Sequence, residues 1–191
     1  SFTTYLRSMP EDIELLITAS HPPGVFTIYN QLQGLDNVNP DYVIGRSDAK
    51  LSADVLGDSV TQGFIAQTQP DPFSDRFAEV GQRFYDETGE WFGVLNAVGY
   101  VVGDLISAGI EDAGEANPVS IADAIRNIEL DTLFASPIQY TEWGELDNLV
   151  QLMVGFEEGT PDYYPDGDVQ LTEEFRSEPL PAYDPSSDIL S

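Results

Sequence analysis

The chain has 191 residues, 41% of them hydrophobic and 21% charged, and its 34 acidic against 7 basic side chains leave a formal charge of −27. That length is enough for one large domain, or parts of two, around a real core, and the hydrophobic share is too high for a disordered chain. Seven scattered cations exclude a phosphate-tracking nucleic-acid surface and make anionic membrane surfaces poor partners. The absence of Cys excludes disulfides, thiolate metal sites and a Cys nucleophile.

No run of 18 uncharged apolar residues occurs, so no membrane span is expected. The sequence starts at Ser1 with neither Met nor a basic-then-apolar leader, as if a signal peptide were absent or removed. The acids are dispersed along the chain, and Lys50 is the one lysine beside six arginines. A dispersed carboxylate surface nearly free of lysine resembles proteins of extreme halophiles, in which concentrated salt screens self-repulsion.

In chain order, Phe2 to Met9 reads as a short amphipathic helix stopped by Pro10. Ile13 to Thr18 is a compact apolar run, expected as a buried parallel strand. After the loop His21-Pro22-Pro23-Gly24, Val25 to Gln33 has helical spacing, and Gly34 follows as a C-cap. Tyr42 to Ile44 is a second strand, Leu51 to Leu56 a short helix ended by Gly57, and Gly63 to Gln67 a third strand. This alternation argues for a parallel α/β layer.

Asp71 and Pro72 suit a helix start, after which Phe73, Phe77, Val80 and Phe84 line one face until Gly89. Trp91 to Ile110 is apolar nearly all round and is expected to be buried, with Gly99 and Gly103 admitting another backbone closely. Asn117-Pro118 opens a third helix with Ile121, Ala124, Ile125 and Ile128 facing inward. From Phe134 to Phe156 the period is strand-like, with an antiparallel hairpin turning at Trp143-Gly144-Glu145. From Gly159 on, the Pro- and Asp-rich chain is expected to be irregular.

The order of these segments resembles a known family. "YVIGRSDAK" (Tyr42 to Lys50), "LGDSVTQGFIAQTQP" (Leu56 to Pro70), the paired helices within Phe73 to Gly114, and "DTLFASPIQYTEWGELDN" (Asp131 to Asn148) are similar to the C-terminal half of periplasmic-type solute-binding proteins. The class is the branched-chain or hydrophobic amino-acid class that serves ABC importers. Ala135-Ser136 stands where that family usually has Gly. The likeness covers about residues 1 to 165 and rests on order and spacing, since no single motif is diagnostic.

The resemblance implies an α/β fold with periplasmic-binding-protein type I-like lobes, a parallel sheet flanked by helices, and a C-terminal antiparallel hairpin. It implies an incomplete chain in which residues 1–69 belong to the second lobe, 70–147 pack on a first lobe not written here, and 148–191 comprise the return to the second lobe and an acidic tail. A complete, self-closing α/β domain is the alternative. The family function is extracytoplasmic capture of a small polar solute, an amino acid above all, with an ABC permease as partner, no cofactor, and any membrane anchor outside this sequence. The other readings are a ligand-sensing regulatory or receptor domain of the same fold, and a structural or calcium-linked interaction domain.

In open parallel sheets ligands bind at the carboxyl ends of strands, which selects Ala19 to Pro23, Gly45 to Lys50 and Gln67 to Pro70. The family's ligand contacts fall on Ser20 or His21, on Ser47 or Asp48, and on the aromatic segment Trp91 and Phe92. Each has a plainer reading: a backbone-bonded loop histidine, a helix cap at Asp48, and core aromatics. Arg46 is notable among so few cations; it can clamp an anionic ligand group, which would favour a carboxylate-rich ligand, or join a surface ion pair, the favoured reading.

Enzymatic chemistry finds no constellation. Ser20 and His21 are mere neighbours, no G-x-S-x-G elbow occurs, and a single His without Cys makes zinc unsuited. Asp162, Asp166, Asp168 and Glu173 fall at ligand positions of an EF-hand loop. Tyr164 interrupts the pattern, however, and Pro161 stands where the incoming helix belongs. A solvated acidic tail is the competing reading.

Overall fold

The computed structural model describes residues 1–46, 48–161 and 164–182. Helix α1 (Thr3–Leu6) leads into strand β1 (Leu15–Thr18), then α2 (Gly24–Gln33), β2 (Tyr42–Gly45), α3 (Ala49–Leu56), a 3-10 turn (Gly57–Thr61) and β3 (Phe64–Thr68). Helices α4 (Asp75–Thr88), α5 (Val94–Ala113) and α6 (Pro118–Asn127) follow. The short strands β4 (Glu129–Leu130) and β5 (Ile138–Gln139) pair with each other, and the chain ends on β6 (Leu152–Glu158) and β7 (Val169–Arg176).

Strands β1, β2 and β3 are parallel, and β3–β6–β7 continue antiparallel, giving one five-stranded sheet in the order β1-β2-β3-β6-β7. This is a mixed α/β sheet, with the parallel layer the alternation of segments predicts. Two expectations fail at its margins. One face of β1 is uncovered, so Leu15 and Ile17, which share it, stand exposed instead of buried, as does Tyr42 beside Leu15. The stretch after Gly159 is not irregular throughout: β7 pairs with β6 from Val169 to Arg176, with one irregularity at Met153/Val154. The Trp143 turn exists, with Thr141 and Glu145 bonded across it, but it joins only an isolated Tyr140–Leu146 bridge, and β5 pairs with β4 instead.

Two apolar clusters form. The first draws on residues between Leu6 and Ala66 and between Val154 and Val169, centred on Phe64, Tyr29 and Phe156. Tyr29 is fully buried with its hydroxyl 2.7 Å from the Ser59 carbonyl and 2.9 Å from that of Gln62; burial pushes its pKa up to about 12. The second cluster draws on residues between Phe77 and Ile138, centred on Phe92, which meets Phe77 and Phe84 edge-on or tilted. Between the clusters the chain crosses twice side by side: Asp71 N–H donates to the Leu133 carbonyl and Ala135 N–H to that of Gln69.

The helix starts are chemically specific. Ser74, not Asp71, caps α4 by accepting from Phe77 N–H, while Asp71 takes Phe73 N–H and pairs with Arg176 at 2.9 Å. Phe73 therefore lies ahead of the helix and is 40% exposed. Asn117 caps α6 through Val119 and Ser120 N–H.

Helix α5 departs most from expectation. Ala97, Val101 and Gly109 are buried, but Leu95, Val102, Ile106 and Ile110 are 72%, 49%, 46% and 40% exposed. One side packs on α4 and α6; the other is largely open beyond the first turns. The glycine that admits a close neighbour is Gly109, where a Cβ would stand 2.6 Å from Ile125 Cγ1, whereas Gly99 and Gly103 face open space. Twenty largely apolar residues make α5 long enough to cross a membrane, yet Asp104 at its centre is ion-paired to Arg76 at 2.8 Å and its small side lies in the second core.

No described carboxylate is buried, so the negative charge lies on the surface. Raising KCl from about 0.1 M to about 2 M should therefore raise the thermal midpoint, because the Debye length falls from ~10 Å to under ~3 Å; a melting curve indifferent to salt contradicts the electrostatic account. In the 191-residue chain, Gly109→Ala should cost about 1–3 kcal/mol through overpacking against Ile125. Gly99→Ala should instead gain about 0.5–1 kcal/mol from helix propensity. Urea unfolding of the two variants distinguishes them.

Candidate functional site

At the carboxyl ends of β1, β2 and β3 lies a hollow of about 420 Å³, lined by His21, Pro22, Arg46, Asp48, Leu51, Gln67 and Gln69, and closed on one side by Val94, Leu95 and Val98. Its floor thus comes from the three strand-end loops, and its wall from the first turns of α5. A neighbouring, more open groove of about 450 Å³ between α2 and α3 carries no charged side chain, so polar recognition belongs to the first.

Of the predicted residues, His21 and Arg46 are exposed at this hollow. The His21 carbonyl anchors its loop by accepting from Gly24 N–H at 2.8 Å. Arg46 forms no ion pair with any described carboxylate, contrary to the surface-pair expectation. β2 ends at Gly45, and Arg46, the next residue, lines the hollow just past the strand end, where the one carboxylate, Asp48, is engaged with backbone amides. Ser20 is absent from the lining; its N–H donates to Thr18 Oγ1 and its hydroxyl turns to the His21 carbonyl. Ser47 lies outside the described residues.

Asp48 does more than cap one helix. Its Oδ1 accepts from Leu51 N–H at 3.0 Å, capping α3, and its Oδ2 accepts from Leu95 N–H at 3.0 Å, inside the first turn of α5. One carboxylate thereby joins two helix N-termini, each of which favours negative charge. Lys50, beside it, pairs with Asp54 at 2.6 Å, which raises the lysine pKa first by that bond.

Trp91 and Phe92 do not line the hollow. Trp91 is 5% exposed and stacks on Tyr164 at 5.6 Å, and Phe92 is 2% exposed between Phe77 and Phe84. They are core, because the helix begins only at Val94 and the two aromatics precede it facing α4. The residues not singled out from sequence are Gln67, Gln69, Val94, Leu95 and Val98. The strand-end rule had already selected the loop holding the two glutamines; the apolar wall carries no local signal, since its residues look like any helix start. Gln67 is held by donating from Nε2 to Gln151 Oε1 at 2.6 Å.

The EF-hand-like acids are not gathered. Asp166 accepts from the Tyr85 hydroxyl at 2.8 Å, Asp168 borders a separate hollow with Asp58 and Glu158, and Glu173 sits in β7 bonded to Arg176. A strand pairing through Glu173 and Val154 cannot curl into a calcium loop. Asp162 lies outside the described residues, and among those described no three His, Asp or Glu side chains group as a metal would need.

Substituting Trp91 by Ala should cost about 3–5 kcal/mol, while His21→Ala should change stability by less than ~0.5 kcal/mol. Denaturant titration of both variants checks the division between core and rim.

No protein-family model matches the sequence, and no curated protein matches it either. Solved structures do match. A branched-chain amino-acid ABC transporter periplasmic ligand-binding protein from Burkholderia xenovorans superposes with a TM-score of 0.74 at 19% identity, over 94% of this chain and 48% of its own. A leucine-, isoleucine-, valine-, threonine- and alanine-binding protein from Brucella ovis gives 0.74 at 13% identity, over 100% and 50%. A solute-binding protein from R. palustris in complex with benzoate gives 0.69 at 12%, over 97% and 49%. The chain therefore shares their fold and spans about half their length.

Proposed function

We propose that this chain supplies most of one lobe, and the body that packs on a second, of an extracytoplasmic solute-binding protein. It captures a small carboxylate-bearing solute, an amino acid in the first instance, and presents it to an ABC permease. Residues 1–69 and 148–191 form the first unit and 70–147 the second.

The observation that carries this reading is Arg46. In a chain with 34 acids and 7 bases, a guanidinium at the strand-end hollow has no described carboxylate partner. A fork of N–H donors matches a carboxylate bidentately, so an anion from solution is the natural partner. Gln67 and Gln69 offer amide groups beside it, and their carbonyls suit an ammonium. Val94, Leu95 and Val98 offer apolar contact to the remainder of the solute. Support for two lobes comes from the open apolar side of α5 and from the half-length match to two-fold longer structures.

Isothermal titration of the full-length protein in about 2 M KCl, with leucine, glutamate, benzoate and calcium chloride in turn, tests the proposal. Heat is expected with at least one carboxylate. Arg46→Ala should weaken that binding by about 10- to 100-fold, the worth of a charge-assisted bond at ~1.5–3 kcal/mol. Heat with calcium and none with any carboxylate, or an Arg46→Ala protein that binds as tightly as wild type, overturns the reading.

A further inference from the structure

We infer that Asp48 is a positioning residue: by holding the amides of Leu51 and Leu95 on its two oxygens, it sets the separation between the Arg46 loop and the apolar wall of the hollow, and with it the size of apolar body the site accepts. The inference rests on the proposed carboxylate-binding reading for its ligand, though not for its geometry.

The buried residues of the two helices it joins fall in different apolar clusters, although Ala53 of α3 also packs against the second. Helix α3 contributes Ala49 and Leu56 to the first, and α5 contributes Ala97 and Val101 to the second. Asp48 lies two residues after Arg46 and one before α3, so its side chain reports the position of the cationic loop. Its second bond reaches a residue 47 positions away whose own side chain lines the hollow. A shift of that bond moves Leu95 directly, and with it Val94 and Val98 on the same turn.

The close approach is built into the backbone. At Gly93 a Cβ would stand 3.1 Å from both Asp48 oxygens and 3.2 Å from Lys50 Cβ, so any side chain there pushes the carboxylate away. The Gly93 N–H is meanwhile held by Asn96 Oδ1 at 3.1 Å, which fixes the α5 entry independently of Asp48. Helix α5 can thus form without the clasp; what it loses is its alignment to the Arg46 loop. An ammonium-bearing solute would meet an Asp48 whose two oxygens already accept amide protons. Its carboxylate then acts chiefly on geometry, and discrimination falls on the wall.

The test compares the wild type with Asp48→Ala, Asp48→Asn and Gly93→Ala in the full-length protein. Without ligand, hydrogen exchange at the Leu95 amide should accelerate about tenfold or more in Asp48→Ala and Gly93→Ala. In Asp48→Asn it should fall in between, because a carboxamide keeps one acceptor oxygen. With ligand, affinity is measured for two pairs, leucine with alanine and benzoate with formate. In whichever pair the wild type binds, the preference for the larger member should drop about tenfold, the scale of a lost apolar contact, while the smaller member binds within about twofold. A merely structural role would weaken both members alike. Unchanged Leu95 exchange in Asp48→Ala, or an unchanged ratio in both Asp48→Ala and Gly93→Ala, overturns the inference. A wild type that takes neither pair nor glutamate sinks the carboxylate reading instead, and wherever neither pair binds the exchange result alone decides whether the clasp exists.

Discussion

Asp48 gathers on one carboxylate the amide protons of Leu51 in α3 and of Leu95 in α5, the latter 47 residues away in the chain, and the hollow depends on that arrangement. Each such cap is worth about 1 kcal/mol, far less than burying Phe77, Phe92 and Trp91, whose truncation scale is ~3–5 kcal/mol apiece. The magnitudes divide the labour. Aromatic packing decides that α5 runs past the strand ends at all; the carboxylate decides where its first turn stops. A site needs both, because an apolar cluster is non-directional and a hydrogen bond between 2.7 and 3.2 Å is not.

The scarce cations show a related logic. Arg176 on β7 reaches Asp71 in the outgoing crossover and also clasps Glu173, and these bonds raise its pKa further above its already high value. Arg76 on α4 donates to the Asp131 carbonyl at 2.6 Å, just before the returning crossover, and to Asp104 on α5. Exposed ion pairs contribute little on average, but Asp71 keeps only 14% of its side-chain exposure and its arginine holds two acids at once. Both arginines tie down the segments through which the chain passes between its two clusters. Added salt screens the long-range repulsion of the surface acids more than these short, directional contacts, so the ties and the tolerance of charge are compatible.

The elements of the parallel layer were legible because strand and helix alternate with clean stops: Gly45 after "YVI", Asp48 before α3, Gly57 after it. The carboxyl-end rule then located the hollow, and rarity drew attention to Arg46. What stayed hidden was long-range. Gly99 and Gly103 look like close-approach glycines, yet only Gly109 meets a neighbour, since which side of α5 faces α6 is fixed by Ile121 and Ile125 elsewhere in the chain. Strand β7 was obscured by its run of Thr172, Glu173 and Glu174, polar residues that an outer strand tolerates because one face looks to water. The double role of Asp48 was half visible: a cap for α3 follows from local spacing, whereas the bond to Leu95 requires the fold.

The open side of α5 and the exposed register partners Leu15 and Tyr42 on the parallel edge place two apolar surfaces in water. Parallel strands are ordinarily covered on both faces, and extended apolar patches mark surfaces made for contact. On the proposed reading both are contact faces of a longer, two-lobed molecule, and this bears on affinity at Arg46. An exposed guanidinium attracts a carboxylate weakly because water competes for both groups and screens their charge. The same pair gains strength as the local dielectric falls, provided the geometry is already set. A second lobe closing over the Leu95 side would withdraw water from Arg46 while the clasp keeps the wall in place. The ligand would then be held loosely by this half alone and tightly by both, so that closure and capture become one thermodynamic event.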